Sequence, residues 1–288
     1  MKTTIRRYST LTLLLVGMLV LGPAPGHASP DGFETYEDWT ASTIRSDRWL
    51  GGSDLGHERL REVHGGSLWM RYRREGATLS DVGATGFFSN RLSFRSPRQV
   101  DQMEVELRVR DVSVSGCLAN ATASIARAAA IDLTRISDLP PETPSAPGDL
   151  TGDHIARVEV RRLSDSTDPA GVLTVRALLF RCNNPGCASN TVVGTPIVLG
   201  QVLTHRWFRL RLVWNADGDE FRAALDDAAD VSLPYPPEAN SRPANSPFAL
   251  IRTQHLPANC TVASGGPTVA DAEVEVRTVR TNASAVIP

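Results

Sequence analysis

The sequence predicts an all-β protein, a two-sheet antiparallel sandwich of jelly-roll type. Three observations lead there: period-two alternation along most of the chain, turn-forming residues at every break, and no long stretch with helical periodicity. Strands with one apolar face and no helices to cover them must pack sheet on sheet, because that arrangement hides every apolar face at once.

The elements follow in order. Residues 1–28 have the form of a cleavable secretory signal: Lys2, Arg6 and Arg7 without an acid, an apolar run from Leu11 to Leu21, then Gly22 and Pro23, with Gly26 and Ala28 three and one positions before the expected cut. The run is shorter than the roughly 20 apolar residues a membrane span requires, so no span is expected after cleavage. The expected location is secreted or periplasmic. One domain is expected over residues 29–281 and a flexible tail over 282–288. Period-two strands are expected at 67–74 (SLWMRYRR), 102–112, 156–163, 171–180, 205–214 and 272–280, each bounded by Gly, Pro, Asn, Asp or Ser. Ile125, Arg127, Ala129, Ile131 and Leu133 alternate with smaller residues, which makes that alanine-rich segment a strand too. Asp217-Gly218 signals a hairpin, since such a pair tolerates the positive φ of a tight turn. The proline-rich segments 137–153 and 232–247 are expected as long loops that exclude central strands.

The formal net charge of -2 and the even spread of basic residues exclude the electrostatic footprint of a nucleic-acid binder. Four cysteines, Cys117, Cys182, Cys187 and Cys260, are an even number in a chain expected outside the cytoplasm, where disulfides persist. Cys182 and Cys187 bracket the turn-forming NNPG and are the favoured pair, which leaves Cys117 for Cys260. Four cysteines permit three connectivities, and zinc is the competing use, without the paired CxxC spacing that would support it.

At this point the chain resembles the concanavalin A-like lectin and glucanase superfamily, with laminin-G-like and pentraxin-like relatives. The resemblance lies in FETYEDW…DRWLGG, GSLWMRYRR, MEVELRVR, the WFRLRLVWNADGDEF hairpin and a closing VEVRTV, and it covers most of the mature chain. It implies two curved sheets, glycan binding on a concave face or on rim loops, and calcium in some members. The glucanase branch uses a strand motif Glu-x-Asp-x-x-Glu, whereas the ten residues from Asp101 run DQMEVELRVR and supply no such triplet.

Glu104 and Glu106 nevertheless share one strand face, and paired carboxylates are what glycoside hydrolysis needs. The competing reading is structural. EVELR, RVEVR (157–161) and EVEVR (273–277) repeat the same texture, so facing strands would exchange ion pairs worth roughly 0.2–1 kcal/mol each. Trp69, Arg71 and Arg73 share a polar face and form a candidate ligand platform, the indole stacking on a sugar and the guanidinia donating to hydroxyls or carboxylates; peripheral packing is the alternative for Trp69. Asn215, Asp217 and Asp219 alternate through the hairpin turn and make a weak calcium candidate, since Glu220 stands where an EF-hand loop needs glycine. No zincin, serine-hydrolase or P-loop signature occurs. The leading expectation is a non-catalytic exported sandwich that binds a glycan or another extracellular ligand. A divergent glycoside hydrolase or polysaccharide lyase using Glu104 or Glu106 is the alternative, and a domain whose partner is an extracellular protein is the third.

Overall fold

A computed structural model describes residues 32–53, 59–77, 89–116, 123–256 and 268–282. Its strands in chain order are β1 (Phe33–Glu37), β2 (Trp49–Leu50), β3 (Arg59–His64), β4 (Ser67–Ala77), β5 (Ser89–Phe94), β6 (Gln102–Val114), β7 (Ile125–Ser137) and β8 (Asp153–Leu163), followed by β9 (Val172–Cys182), β10 (Asn190–Leu203), β11 (Phe208–Asn215), β12 (Glu220–Leu225), β13 (Val231–Pro234), β14 (Arg242–Pro243), β15 (Ala249–Leu256) and β16 (Thr268–Asn282). Among the described residues the only helical segments are short 3-10 turns.

Two antiparallel eight-stranded sheets result. Sheet A runs β13-β12-β11-β6-β16-β4-β3 with β1 added on β16; sheet B runs β10-β9-β8-β7-β15-β5-β2 with β14 added on β7. This is the sandwich the alternation predicts, and the reason is visible in the burial pattern. Met103, Val105, Leu107 and Val109 of β6 all face inward, and so do Ala156, Val158 and Val160 of β8 and Val175, Ala177 and Leu179 of β9. Their polar neighbours in sequence face out.

The FETYEDW and DRWLGG segments close one part of the core. Trp39 and Trp49 stack at 5.6 Å between centroids, and Tyr36 and Phe94 pack beside them. Buried Glu37 serves this cluster: its Oε1 accepts from the Trp39 backbone N–H at 3.4 Å and its Oε2 from the Trp49 indole N–H at 3.3 Å.

Four details depart from the sequence expectation. The run from Ile125 to Leu133 does not hold one alternation, because a bulge between Arg127 and Ala129 turns Arg127 to the outer face while Ala129 stays inside. Segment 232–247 is not wholly loop: it contains most of β13 and all of β14, whose prolines confine them to short strands at sheet margins. The positive φ of the hairpin falls on Asp219 (49°), not on Gly218. The last described strand also runs one residue past the expected domain end at 281. Asn282 Oδ1 accepts from the Asp101 backbone N–H at 2.9 Å, and its amide donates to the Gln99 carbonyl at 2.7 Å.

A Cys182–Cys187 disulfide staples the turn between β9 and β10. Residues 1–28, Cys117 and Cys260 lie outside the described residues, so the signal segment and the second bridge do too. No helix among the described residues is long and apolar enough to cross a membrane.

Candidate functional site

The residues singled out in the sequence gather on the outer face of sheet A. There Glu104 pairs with Arg280 at 2.9 Å, and Glu106 pairs with Arg277 at 3.2 Å. Both bonds cross from β6 to β16, the cross-strand exchange that the repeated acid and arginine texture implies. Trp69 carries Arg110 over its ring at 4.4 Å, and Arg110 in turn reaches Glu275 at 3.3 Å and Glu273 at 3.4 Å. Arg71 grips Asp271 with two donors, at 3.2 and 2.7 Å, while Arg73 is exposed. A second tryptophan, Trp207, lies between Arg108 (4.7 Å) and Arg277 (5.2 Å). The face is therefore a lattice of arginines seated on indoles and carboxylates. Trp69 and Arg71, neighbours on β4, are thus set against the acids of β16.

In the hairpin turn the Asn215 amide donates to Glu220 Oε1 at 2.9 Å, and Asp219 accepts from Asn240 at 3.3 Å. Ser232, Asn215 and Arg222 together hold the Glu220 carboxyl below the usual glutamate range. Among the described residues no group of three or more His, Cys, Asp or Glu side chains is arranged to hold a metal.

The stronger concentration of chemistry lies elsewhere, on the outer face of sheet B. Register places Val198, Arg176, Glu159, Ala130, Arg252 and Arg91 in one row across β10, β9, β8, β7, β15 and β5. The next row reads Leu178, Arg157, Asp132 and Leu250, and on the far side Arg161 faces Arg127. Within this field Asp132 is forked by Arg157, at 2.6 and 3.1 Å, and also bonded by Arg252. Glu159 accepts from Arg127 and, at 2.5 Å, from Arg176; Arg161 stands 4.0 Å away. Arg127 also donates to Gln254.

The two carboxylates are sealed, with side-chain exposures of 1% for Asp132 and 0% for Glu159. Burial alone would raise Glu159, but Arg127, Arg157 and Arg176 outweigh it and hold the carboxyl at about 2. Asp132 goes the other way: burial pushes it above the usual aspartate range against the pull of Arg157. Burial also brings Arg127 down to about 10. Beside this field Ile155, Leu178, Phe180 and Cys182 form a second apolar cluster, covered by Leu150 and Phe248 from the long connections. Arg157 lies over the Phe180 ring at 4.7 Å.

The sequence does not mark this face. RVEVR was visible as charge alternation, but nothing local distinguishes Glu159 from Glu104, and the bulge that delivers Arg127 is not marked by glycine or proline. A further cleft of about 390 Å³ opens where β7 and β11 end, lined by Arg98, Arg135, Trp214, Asn240 and Arg242. Its guanidinia are largely committed to protein: Arg135 stacks on Trp214 at 4.8 Å and pairs with Asp101 at 2.7 Å, and Arg242 donates to the Pro140 and Thr143 carbonyls.

No family model and no curated protein matches the chain. Solved structures similar to it include the catalytic domain of an endo-1,3-β-glucanase (laminarinase) from Thermotoga petrophila, at 11% identity and TM-score 0.42, covering 86% of this chain and 96% of that one. Another is described as an immunostimulatory antigen and pseudo β-1,3-glucanase of Mycobacterium tuberculosis, at 14% identity and TM-score 0.39, covering 86% and 99%. A sialidase matches at 10% identity and TM-score 0.43 over 87% of this chain, which spans 18% of that protein's length. Likenesses at this level say nothing about activity, which rests on the chain's own side chains.

Proposed function

We propose that the chain is a non-catalytic extracellular β-sandwich that binds a glycan on the outer face of sheet B. One observation carries the non-catalytic part: the candidate carboxylates Glu104, Glu106, Asp132 and Glu159 are each paired with arginine. Glycoside hydrolysis needs one carboxyl protonated and a second free to attack or to activate water, and pairing with a guanidinium works against both roles. The same guanidinia, with Gln254 and Thr174 beside them, supply planar donors of the kind that recognise sugar oxygens. The glycan class follows the resemblance carried by the sequence, and the Cys182–Cys187 bridge suits an oxidising compartment.

Affinity electrophoresis through gels containing neutral or acidic polysaccharides, run with a reducing-end assay on the same panel, tests the proposal. Retardation without release of reducing ends is expected; release by pure protein overturns the non-catalytic part. A second reading has its own observation, the opposite displacement of Asp132 and Glu159, since a raised and a lowered carboxyl are how a hydrolase assigns acid and nucleophile. If hydrolysis is found and Asp132→Asn abolishes it, that reading replaces the first.

A further inference from the structure

The charges on the outer face of sheet B do not balance. Among the described residues Asp132 and Glu159 are the acids of the network, and they answer Arg127, Arg157, Arg161, Arg176 and Arg252, which leaves three guanidinia in excess. Buried cations are costly unless they are paired and hydrogen-bonded. Two of these are incompletely served: Nε of Arg161 and Nε of Arg252 are both buried without a hydrogen-bond partner among the described residues. Arg161 is the less committed, at 4.0 Å from a Glu159 carboxylate that Arg127 and Arg176 already occupy.

Exposure is divided in a way that points outward. The side chains of Arg161, Arg176 and Arg252 keep 18%, 18% and 14% of their surface, whereas the acids keep almost none. The face therefore leaves part of each of these arginine side chains open to solvent and withholds its carboxylates. Burial and the neighbouring Arg176 both depress the Arg161 guanidinium, the direction expected of a cation that lacks its counter-ion.

We propose that the missing counter-charge is carried by the ligand: the glycan bound on this face is anionic, and a uronate carboxylate or sulfate ester on it is taken by Arg161, Arg176 and Arg252. This rests on the glycan-binding reading and adds the ligand's charge class. Both groups suit guanidinium forks, which bind planar or trigonal oxyanions through two parallel donors.

The test compares polygalacturonate, dextran sulfate and neutral laminarin in affinity electrophoresis of the wild type, Arg161→Gln and Arg252→Gln. Arg206→Gln, an exposed arginine before β11, controls for net charge. Retardation by polygalacturonate or dextran sulfate is expected, weakened about tenfold by Arg161→Gln or Arg252→Gln, unchanged by Arg206→Gln and diminished by salt. The polyuronate and sulfated arms separate the two oxyanions. Should either variant fail to fold, the wild type supplies a second measurement: galacturonate raises its melting temperature and galactose at equal concentration does not. Retardation by laminarin alone overturns the anionic assignment and leaves the glycan reading standing; no retardation by any polymer overturns both. Equal weakening by all three substitutions reduces the effect to bulk charge and overturns the assigned site.

Discussion

Replacing Glu159 by Gln tests the charge field of sheet B most directly. The substitution preserves shape and leaves Arg127 and Arg176 facing a neutral amide in a place with no exposure. Breaking a buried ion pair on one side costs about 3–5 kcal/mol, because the remaining charge stays buried. The titration of Glu159 gives an independent figure. A carboxyl held at about 2 against an ordinary 4.5 stabilises the fold by about 3 kcal/mol, at about 1.36 kcal/mol per pH unit. Its folded pKa lies below the unfolded one, so the contribution is complete above about pH 4.5 and disappears as pH falls toward 2. Urea denaturation of wild type and Glu159→Gln across pH 2–7 reads this out: the variant should be less stable by about 3–5 kcal/mol at pH 7, and the gap should narrow by about 3 kcal/mol toward pH 2. In a chain of this size that is a fall in Tm of about 6–20 °C at neutral pH. A gap that stays constant with pH would refute the ionised-pair account, and equal stability at pH 7 would refute the burial of charge itself.

Other consequences are smaller or differently placed. Glu106→Gln should lower stability by less than about 1 kcal/mol by chemical denaturation, since Arg277 in its pair is mostly exposed, and Glu104→Gln should cost more because that carboxylate is buried. Converting Cys182 and Cys187 to serine opens a loop whose ends are five residues apart and should cost about 2 kcal/mol, matched in the wild type by adding reductant. His255 is fully buried with no partner for either ring nitrogen among the described residues, and burial followed by repulsion from Arg74 lowers it to about 4. Its neutral form is the folded form, so stability present above about pH 6.5 is lost as pH falls toward 4; His255→Phe should flatten that part of the wild-type pH profile, and an unchanged profile would refute it. Trp49→Ala should cost about 3–5 kcal/mol through loss of its stack with Trp39, followed by near-ultraviolet circular dichroism and thermal melts.

Fold class was legible because alternation is a direct projection of a pleated strand with one wet and one dry face, and β6, β11 and β16 each carry it over eight residues or more. The candidate site was legible only in part. EVELR and RVEVR are near copies, yet Glu104 keeps 9% of its side-chain surface and Glu159 none. The difference arises from what lies above and beside each strand: Leu150 and Phe248 come from distant connections to cover part of sheet B, and Arg127 arrives through a bulge. Neither cause is local in sequence. Proline in 232–247 correctly excluded central strands there but could not reveal that β13 and β14 survive at the margins.

The position of β16 sets the order in which the molecule can assemble. This strand follows every other described strand, yet it lies inside sheet A with β6 on one side and β4 and β1 on the other. Until it emerges, β6 and β4 have no shared neighbour, and the inward faces of sheet B lack much of the surface they pack against. Sheet B can form its meander of β7, β8, β9 and β10 from hairpins alone, whereas sheet A must wait for partners separated by more than 150 residues, such as Glu104 and Arg280. Synthesis from the N-terminus therefore holds the sandwich open until its last strand is available. A chain kept open in this way remains threadable, the condition a polypeptide needs if it is to cross a membrane before it folds.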